Sequence, residues 1–148
     1  MNQRFRLPIS VQLLLVKDNK ILLQRRYNTG YEDGKYSFVG GHKEENEEVI
    51  EAVIREAKEE IGIEIENKDL QVIEILHRKT EYDEYIDFVI KADRWKGTPE
   101  IVEKDKCDQL LWVDKDSIPS NTILFVKEIL NDYVNNKINI YKPYGWKG

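Results

Sequence analysis

Apolar and β-branched runs near the N-terminus predict a β-hairpin followed by a further short strand. Residues 9–16 (ISVQLLLV) and 21–24 (ILLQ) are apolar and are separated by the polar segment 17–20. Two such runs joined by a polar turn are typical of a hairpin with one buried strand. Residues 27–35 are rich in turn formers, and residues 36–39 (YSFV) are predicted to form a short strand that leads into two glycines.

The hydrophobic period then changes from that of a strand to that of a helix. At 100° per residue, one apolar stripe is formed by Ile50, Val53, Ile54, Ala57 and Ile61. Asn46 is predicted to be the N-cap, and Glu47 in the first turn suits the positive end of the helix dipole. Gly62 stands where a left-handed C-terminal cap is needed. We therefore expect a helix from about residue 46 to residue 61.

The second half of the chain repeats the sequence of strands followed by a helix. Residues 72–76 (VIEIL), 85–90 (YIDFVI) and 110–113 (LLWV) are predicted strands, and residues 122–135 are a second amphipathic helix. This order predicts an α/β or α+β fold with a mixed sheet between helices. The 148 residues fit one domain spanning residues 1–148. The packing of the tail from about residue 136 is left open.

Composition restricts the class of function without defining it. The hydrophobic fraction of 41% is that of a folded protein, and the formal net charge of −5 argues against binding to a nucleic acid polymer. A bound metal can reverse the local charge, so nucleotides are still allowed. No apolar run is long enough for a signal peptide or a membrane span, and we expect a cytoplasmic location with no membrane partner. The oligomeric state is not readable, and a homodimer is compatible with the sequence.

Three carboxylates on the first predicted helix form a candidate metal site. Glu56, Glu59 and Glu60 share a wedge about 100° wide, beside the apolar stripe. Carboxylates are the hard oxygen ligands that Mg²⁺ or Mn²⁺ prefers, and a backbone carbonyl of Gly40 or Gly41 is a further candidate ligand. A solvated acidic face on a glutamate-rich surface helix explains the same three residues equally well.

The spacing of residues 41–63 (GHKEENEEVIEAVIREAKEEIGI) favours the metal site. This segment resembles the signature of the Nudix (MutT-related) hydrolases at every fixed position, which are Gly41, Glu47, Arg55-Glu56-Ala57, Glu59-Glu60 and Gly62-Ile63. The resemblance extends to the hairpin, to the strand that ends at Gly40-Gly41 and to the Trp-Val strand before the last helix, and it covers about the first 135 residues. Val39 stands where many members have proline, which alters the stiffness of the turn but removes no ligand.

The resemblance implies an α/β/α sandwich around a mixed sheet, and it implies roles for the residues of the signature. The metal ligands it implies are Glu56, Glu59 and Glu60, with the Gly41 or Gly40 carbonyl assisting. Glu59 and Glu60 would also be catalytic, and Arg55 would orient the site through a pair with Glu47 or with a catalytic carboxylate. Gly40, Glu47 and Gly62 would be structural supports.

The chemistry implied is attack of water on a diphosphate linkage. The substrate would be a small nucleotide in which a nucleoside diphosphate is linked to a further group X, and the cofactor would be Mg²⁺, with Mn²⁺ as an alternative. A nucleoside triphosphate, including an oxidised or damaged one, is the favoured substrate, giving a monophosphate and pyrophosphate. Alternatives are nucleotide sugars, ADP-ribose-type dinucleotides, a non-catalytic nucleotide sensor, or an acidic helix that serves only as a protein interaction face.

Late segments offer two candidates outside the signature. Glu103 is the candidate for the additional glutamate that family members often supply from a late loop, as a base or extra ligand, with Glu81 and Glu84 as alternatives. Asn121 stands where some triphosphatases of the family place a base-reading asparagine, although an N-cap of the second helix explains it as well.

The end of the hairpin offers candidate substrate contacts. Arg25 and Arg26 are candidate phosphate ligands, because a guanidinium fork suits phosphate oxygens, although either could be a charge at the rim. Tyr31 and Tyr36 are candidates for stacking on a base, while Phe38 is expected in the core.

Overall fold

The predicted hairpin opens the fold. The computed structural model describes residues 3–147, and in it β1 (Ile9–Lys17) pairs antiparallel with β2 (Lys20–Arg26). Asp18 and Asn19 connect the two strands with φ of 53° and 62°. A two-residue connection with positive φ at both positions matches the twist of a hairpin, and Asn and Asp adopt this conformation more readily than most residues.

Eight strands and two α-helices make up the fold of residues 3–147. The other strands are β3 (Tyr36–Ser37), β4 (Val39–His42), β5 (Gln71–Lys79), β6 (Glu84–Ala92), β7 (Cys107–Asp114) and β8 (Tyr141–Tyr144). The helices are α1 (Val49–Ile61) and α2 (Leu124–Val134). The strand order is β3-β2-β1-β6-β5-β8, with β4 paired to β1 and β7 paired to β2. Pairs β1–β6 and β5–β8 are parallel and the others antiparallel, which confirms the predicted mixed sheet.

The two helices cover opposite faces of the sheet, because the side chains of β1 alternate between two separate hydrophobic clusters. Val11, Leu13 and Leu15 join the cluster that contains the buried face of α1. Leu14 joins the other cluster, which contains α2. The expected α/β/α sandwich is therefore confirmed. Within residues 3–147, neither helix is long and apolar enough to span a membrane.

The first helix ends as predicted but begins two residues later. Gly62 has φ of 71° and caps the C-terminus in the left-handed conformation. Asn46 is not the N-cap, because its own φ of 64° is left-handed, whereas an N-cap needs an extended backbone. Glu48 takes that role, and its backbone N–H donates in turn to the Glu51 side chain at 3.2 Å, completing a capping box.

The second helix also begins later than predicted, at Leu124. Residues 121–123 are held in an extended conformation by β3: the Tyr36 N–H donates to the Asn121 carbonyl at 2.9 Å, and the Ile123 N–H donates to the Tyr36 carbonyl at 3.0 Å. The N-cap is Ile123, so the N-cap role considered for Asn121 is wrong.

The tail, whose packing the sequence left open, forms β8 at the edge of the sheet. Residues 141–144 pair in parallel with residues 75–78 of β5. Trp146 follows the strand, and its indole N–H donates to the His77 carbonyl at 2.8 Å.

Candidate active site

A cleft of about 850 Å³ joins residues from both halves of the chain. One part of the lining, the acidic end, comes from the β4 turn and the C-terminal half of α1, and the other part, the far end, comes from β5, β6 and the start of α2. The two parts adjoin where the ring centroids of His42 and Tyr85 lie 6.1 Å apart. Nine of the residues considered for the site line this cleft: Arg26, Tyr31, Gly40, Gly41, Arg55, Glu56, Glu59, Glu60 and Glu103. Five others do not: Arg25, Tyr36, Glu47, Gly62 and Asn121.

The two glycines of β4 allow the helix and the sheet to approach closely. A Cβ atom on Gly41 would lie 2.7 Å from Glu56 Oε1, so a glycine is needed for the carboxylate to rest against the turn. A Cβ atom on Gly40 would lie 2.0 Å from the Val11 carbonyl oxygen of β1. The turn therefore fixes the position of Glu56 relative to the sheet.

Glu60 is held from the sheet side. Its Oε2 accepts a hydrogen bond from the Gly40 N–H at 3.0 Å, and its Oε1 accepts one from Gln24 Nε2 at 3.0 Å. Enclosure of this carboxylate, together with the neighbouring Glu56 carboxylate, raises the pKa of Glu60 well above its ordinary value. The side chain is thus fixed at the inner edge of the cleft.

Arg55 connects the acidic side chains to one another. Its Nε and Nη2 donate to the two carboxylate oxygens of Glu47 at 3.0 and 2.8 Å. Its Nη1 donates to Glu56 at 3.0 Å and to Glu59 at 3.1 Å. The hydrogen bonds from Arg55 lower the pKa of Glu47 to about 2. Glu47 therefore anchors the arginine from outside the cleft.

The donor set suits a hard divalent cation. Within residues 3–147, no three His, Cys, Asp or Glu side chains converge as a ready-made metal cluster. Glu60 faces Gly40 and Gln24, whereas Glu56 and Glu59 share a cation already, the Arg55 guanidinium. The Glu59 side chain is 51% exposed and that of Glu56 is 12% exposed, so an ion could reach both carboxylates from the cleft.

Two candidate contacts lie elsewhere. Arg25 forms a two-pronged ion pair with Asp108, with N–O distances of 2.7 and 2.9 Å, and is directed away from the cleft. Asn121 Nδ2 donates to the Gly34 carbonyl at 2.9 Å and so supports the loop before β3.

Two other candidates remain at the cleft. Arg26 contacts the Tyr31 carbonyl at 2.6 Å and the Thr29 hydroxyl at 3.0 Å, which leaves its guanidinium at the cleft wall. Glu103 lines the cleft, and its Oε2 lies 3.7 Å from Lys106 Nζ.

The far end of the cleft contains residues that the sequence did not identify. Arg78 and Asp87 form a buried ion pair there, and Ser10 of β1 donates a short hydrogen bond to Asp87. The signal was present in the sequence: Ser10 and Gln12 are isolated polar residues within ISVQLLLV, and Asp87 is isolated within YIDFVI. A polar residue in a buried strand needs a partner, and here the partners lie across the sheet.

Comparisons with solved structures match this fold over most of its length. The chain is similar to a MutT NUDIX hydrolase from Burkholderia pseudomallei, with a TM-score of 0.78 and 26% identity, over 86% of this chain and 98% of that one. It shares its fold with a MutT protein from Methanosarcina mazei Go1, with a TM-score of 0.76 and 19% identity, over 91% of this chain and 98% of that one.

Comparisons of sequence agree with the structural likeness. An ADP-ribose pyrophosphatase from Methanocaldococcus jannaschii is 46% identical over 55 residues, which are 37% of this chain. The match covers 32% of that relative's own length. The model of the NUDIX domain family matches residues 6–133. The chain therefore belongs to the Nudix family.

Proposed function

We propose that the chain hydrolyses nucleoside triphosphates, including damaged ones, to nucleoside monophosphates and pyrophosphate. The observation that supports this most directly is the composition of the cleft. Its lining combines the carboxylates of Glu56, Glu59 and Glu60 with the aromatic and apolar side chains of Tyr85, Phe125 and Ile123. A cleft that offers both charged groups and apolar surface suits a triphosphate joined to a base.

We propose that the carboxylate end holds Mg²⁺, with Mn²⁺ as a substitute. Divalent ions are a general requirement of this family. A bound ion would stabilise negative charge on the diphosphate and lower the pKa of a bound water molecule. Glu56 and Glu59 would hold it, Glu60 would join them by turning away from Gly40 and Gln24, and the carbonyl of Gly41 would assist. Arg55, fixed by Glu47, would keep these carboxylates in place as the substrate enters.

The reaction forms one P–O bond and breaks another. The oxygen of a water molecule attacks phosphorus, the anhydride oxygen leaves with the pyrophosphate group, and the proton of the water passes to a carboxylate. Glu59 and Glu103 are the candidates to accept it, because both line the cleft and their side chains are 51% and 33% exposed. Arg26 would bind the phosphates from the opposite wall, because its guanidinium lines the cleft.

A second substrate class is favoured by a separate observation. The relative that is 46% identical over 55 residues is an ADP-ribose pyrophosphatase. ADP-ribose, like a nucleoside triphosphate, contains a diphosphate linkage. The carboxylates of Glu56, Glu59 and Glu60 would therefore also support its hydrolysis. That match covers 37% of the chain, whereas the residues that line the cleft extend from Ser10 to Phe125. The location in the cytoplasm, the single domain over the whole chain and the oligomeric state stay predictions.

A substrate panel with Mg²⁺ or Mn²⁺ tests the proposal. The eight common ribo- and deoxyribonucleoside triphosphates, an 8-oxo-purine triphosphate, ADP-ribose and two nucleotide sugars would be compared by kcat/KM. We expect triphosphates to rank first and to release pyrophosphate, and we expect a chelator to abolish turnover until the ion is restored. Faster cleavage of ADP-ribose would favour the second class. Binding without turnover of any substrate would favour a sensor.

A further inference from the structure

The buried residues at the far end of the cleft have a role that the acidic end does not explain. We propose that Arg78 is a specificity-determining residue that recognises a carbonyl oxygen on the base of the nucleotide, held in position by Asp87 and Ser10. This inference rests on the proposed function, because it assigns a contact to the base of that substrate.

The guanidinium of Arg78 is fixed by contacts from three elements. Its Nε and Nη2 donate to Asp87 at 2.7 and 3.2 Å, and Asp87 in turn accepts a hydrogen bond from Ser10. The guanidinium carbon lies 4.4 Å from the centroid of the Tyr85 ring and 4.1 Å from that of the Phe125 ring. A guanidinium held in this way is preorganised for its next hydrogen bond.

One part of this guanidinium is left for a ligand. A guanidinium has five N–H groups, and Asp87 accepts from two of them, the one on Nε and one of the two on Nη2. Among residues 3–147, Nη1 of Arg78 has no hydrogen-bond acceptor. Three side-chain oxygens of residues 3–147, two of Glu74 and one of Thr122, are buried without a hydrogen-bond partner, and Arg78 Nη1 does not belong to this group. Because Nη1 has no partner among these residues and is not buried, solvent reaches it. Because Arg78 lines the cleft, Nη1 and the remaining Nη2 N–H can serve a ligand there.

The charge and the surroundings favour a neutral acceptor over a phosphate. Asp87 is fully buried and neutralises the guanidinium, so the pair carries no excess positive charge to attract an anion. The rings of Tyr85 and Phe125 lie against the Arg78 guanidinium, so its nearest surroundings in the cleft are aromatic. Phosphates have better partners at Arg26 and at the carboxylate end. Arginine is a donor only, so it favours a base that presents a carbonyl oxygen over one that presents an amino group.

Two pairs of nucleotides isolate this difference. Inosine and adenosine triphosphates differ at purine position 6, where one has a carbonyl and the other an amino group, and uridine and cytidine triphosphates differ likewise at position 4. For the wild-type chain with Mg²⁺ we expect kcat/KM to be about ten-fold or more higher for the carbonyl member of each pair. An equal or reversed ratio in both pairs overturns the proposal without any variant.

Variants then assign the preference to Arg78. In Arg78→Lys and Arg78→Met we expect the ratio to fall toward one through a higher KM for the carbonyl nucleotide, with kcat nearly unchanged. Lys91→Met is the matched control, because Lys91 also lies on the sheet, 5.3 Å from an aromatic centroid, but outside the cleft. A purely structural ion pair would alter stability without altering the ratio. A preserved ratio in folded Arg78→Lys therefore overturns the proposal.

Binding separates this proposal from the proposed hydrolysis. If the chain hydrolyses no triphosphate, titration calorimetry with inosine and adenosine monophosphates measures recognition alone. Tighter binding of the inosine nucleotide by the wild-type chain, lost in Arg78→Lys, would support base recognition while the hydrolase proposal fails. Equal binding of the two would overturn the role of Arg78.

Discussion

Two arginines of the cleft, Arg55 and Arg78, are surrounded in opposite ways. Arg55 is 22% exposed and lies within 3.5 Å of four carboxylates, those of Glu44, Glu47, Glu56 and Glu59. The Arg78 side chain is 10% exposed and faces a single buried carboxylate, with aromatic rings against its guanidinium. The single positive charge of Arg55 cannot balance four carboxylates, so its surroundings keep a net negative charge. The charge of Arg78 is balanced by Asp87, so that pair is neutral.

This difference separates two tasks at the two ends of one cleft. Surplus negative charge in a partly hydrated setting suits a divalent cation and the charged group that accompanies it. A neutralised pair in an apolar setting gives directional hydrogen bonds with little long-range field, which suits recognition of an uncharged ring. The two regions should therefore respond differently to substitution, one in turnover and the other in stability and substrate choice.

The largest expected effect is on turnover at the Arg55 end. Glu59→Gln and Glu60→Gln should each lower kcat by at least about a hundred-fold, because a ligand or a proton acceptor is lost. The fold should be retained, as judged by circular dichroism. Glu45→Gln is the control, because Glu45 is exposed and lies outside the cleft. Turnover at the wild-type level in both cleft variants would show that the catalytic residues do not lie on α1.

Stability should respond at the Arg78 end. Asp87→Asn leaves a guanidinium without its counter-charge in a buried setting, and we expect the free energy of unfolding to fall by about 3 kcal/mol in urea titrations. Asp108→Asn breaks the exposed pair with Arg25, and solvent screening should leave the unfolding midpoint nearly unchanged. Equal losses in the two variants would show that burial does not distinguish the pairs.

A smaller effect on turnover is expected at the glycine turn. In Gly41→Ala the new methyl group would meet the end of the Glu56 side chain, which can move, so kcat should fall about ten-fold with little loss of stability. In Gly40→Ala the methyl group would meet the Val11 backbone at 2.0 Å, which cannot move without disrupting the pairing of β1 with β4. We therefore expect that variant to lose stability first. Unchanged kcat in Gly41→Ala would mean that Glu56 is not fixed by the turn.

Within residues 3–147, Glu74 is a buried carboxylate that, unlike Asp87, has no arginine partner. Its substitution is expected to have the smallest effect, a change in the free energy of unfolding that depends on pH. Glu74 on β5 is fully buried, and burial, with repulsion from Asp132 and Glu128, raises its pKa to about 7 despite the nearby Lys142. The folded state therefore holds this proton more tightly than the unfolded state, and the contribution of Glu74 to stability is lost as the pH rises from about 4.5 to about 7.

The corresponding variant reverses that loss. Glu74→Gln should be more stable than the wild-type chain by about 1 kcal/mol at pH 8 and should lose this advantage at pH 5. Thermal unfolding at the two pH values measures the difference. A difference that does not change with pH would show that Glu74 stays charged in the folded chain.

The acidic end of the cleft was predictable because its residues are close in sequence. A spacing of a few residues on one helix places Glu56, Glu59 and Glu60 on one side whatever the rest of the fold does. The glycines and Arg55 then completed the signature of the Nudix hydrolases, which indicated a metal site. The caps were harder to predict, because the left-handed conformation of Asn46 and the pairing of residues 121–123 with β3 depend on how the loops pack.

The Arg78 end could not be predicted in the same way. Ser10 and Asp87 are 77 positions apart and meet only because β1 and β6 pair in parallel with one particular register. A shift of one residue would turn each side chain to the other face of the sheet. The sequence signals that these polar residues need partners, but the partner of each is decided by the register.

The parallel pairing of β1 with β6 also bears on the order of events during folding. The hairpin and the first helix close short loops, whereas joining residues 9–15 to residues 86–92 must first close a loop of most of a hundred residues. A refolding chain should thus regain helical signal and its acidic helix before it regains the far end of the cleft. Discrimination between bases should then return only with the long-range pairings of the sheet, which also include the joining of residues 20–26 of β2 to residues 107–114 of β7.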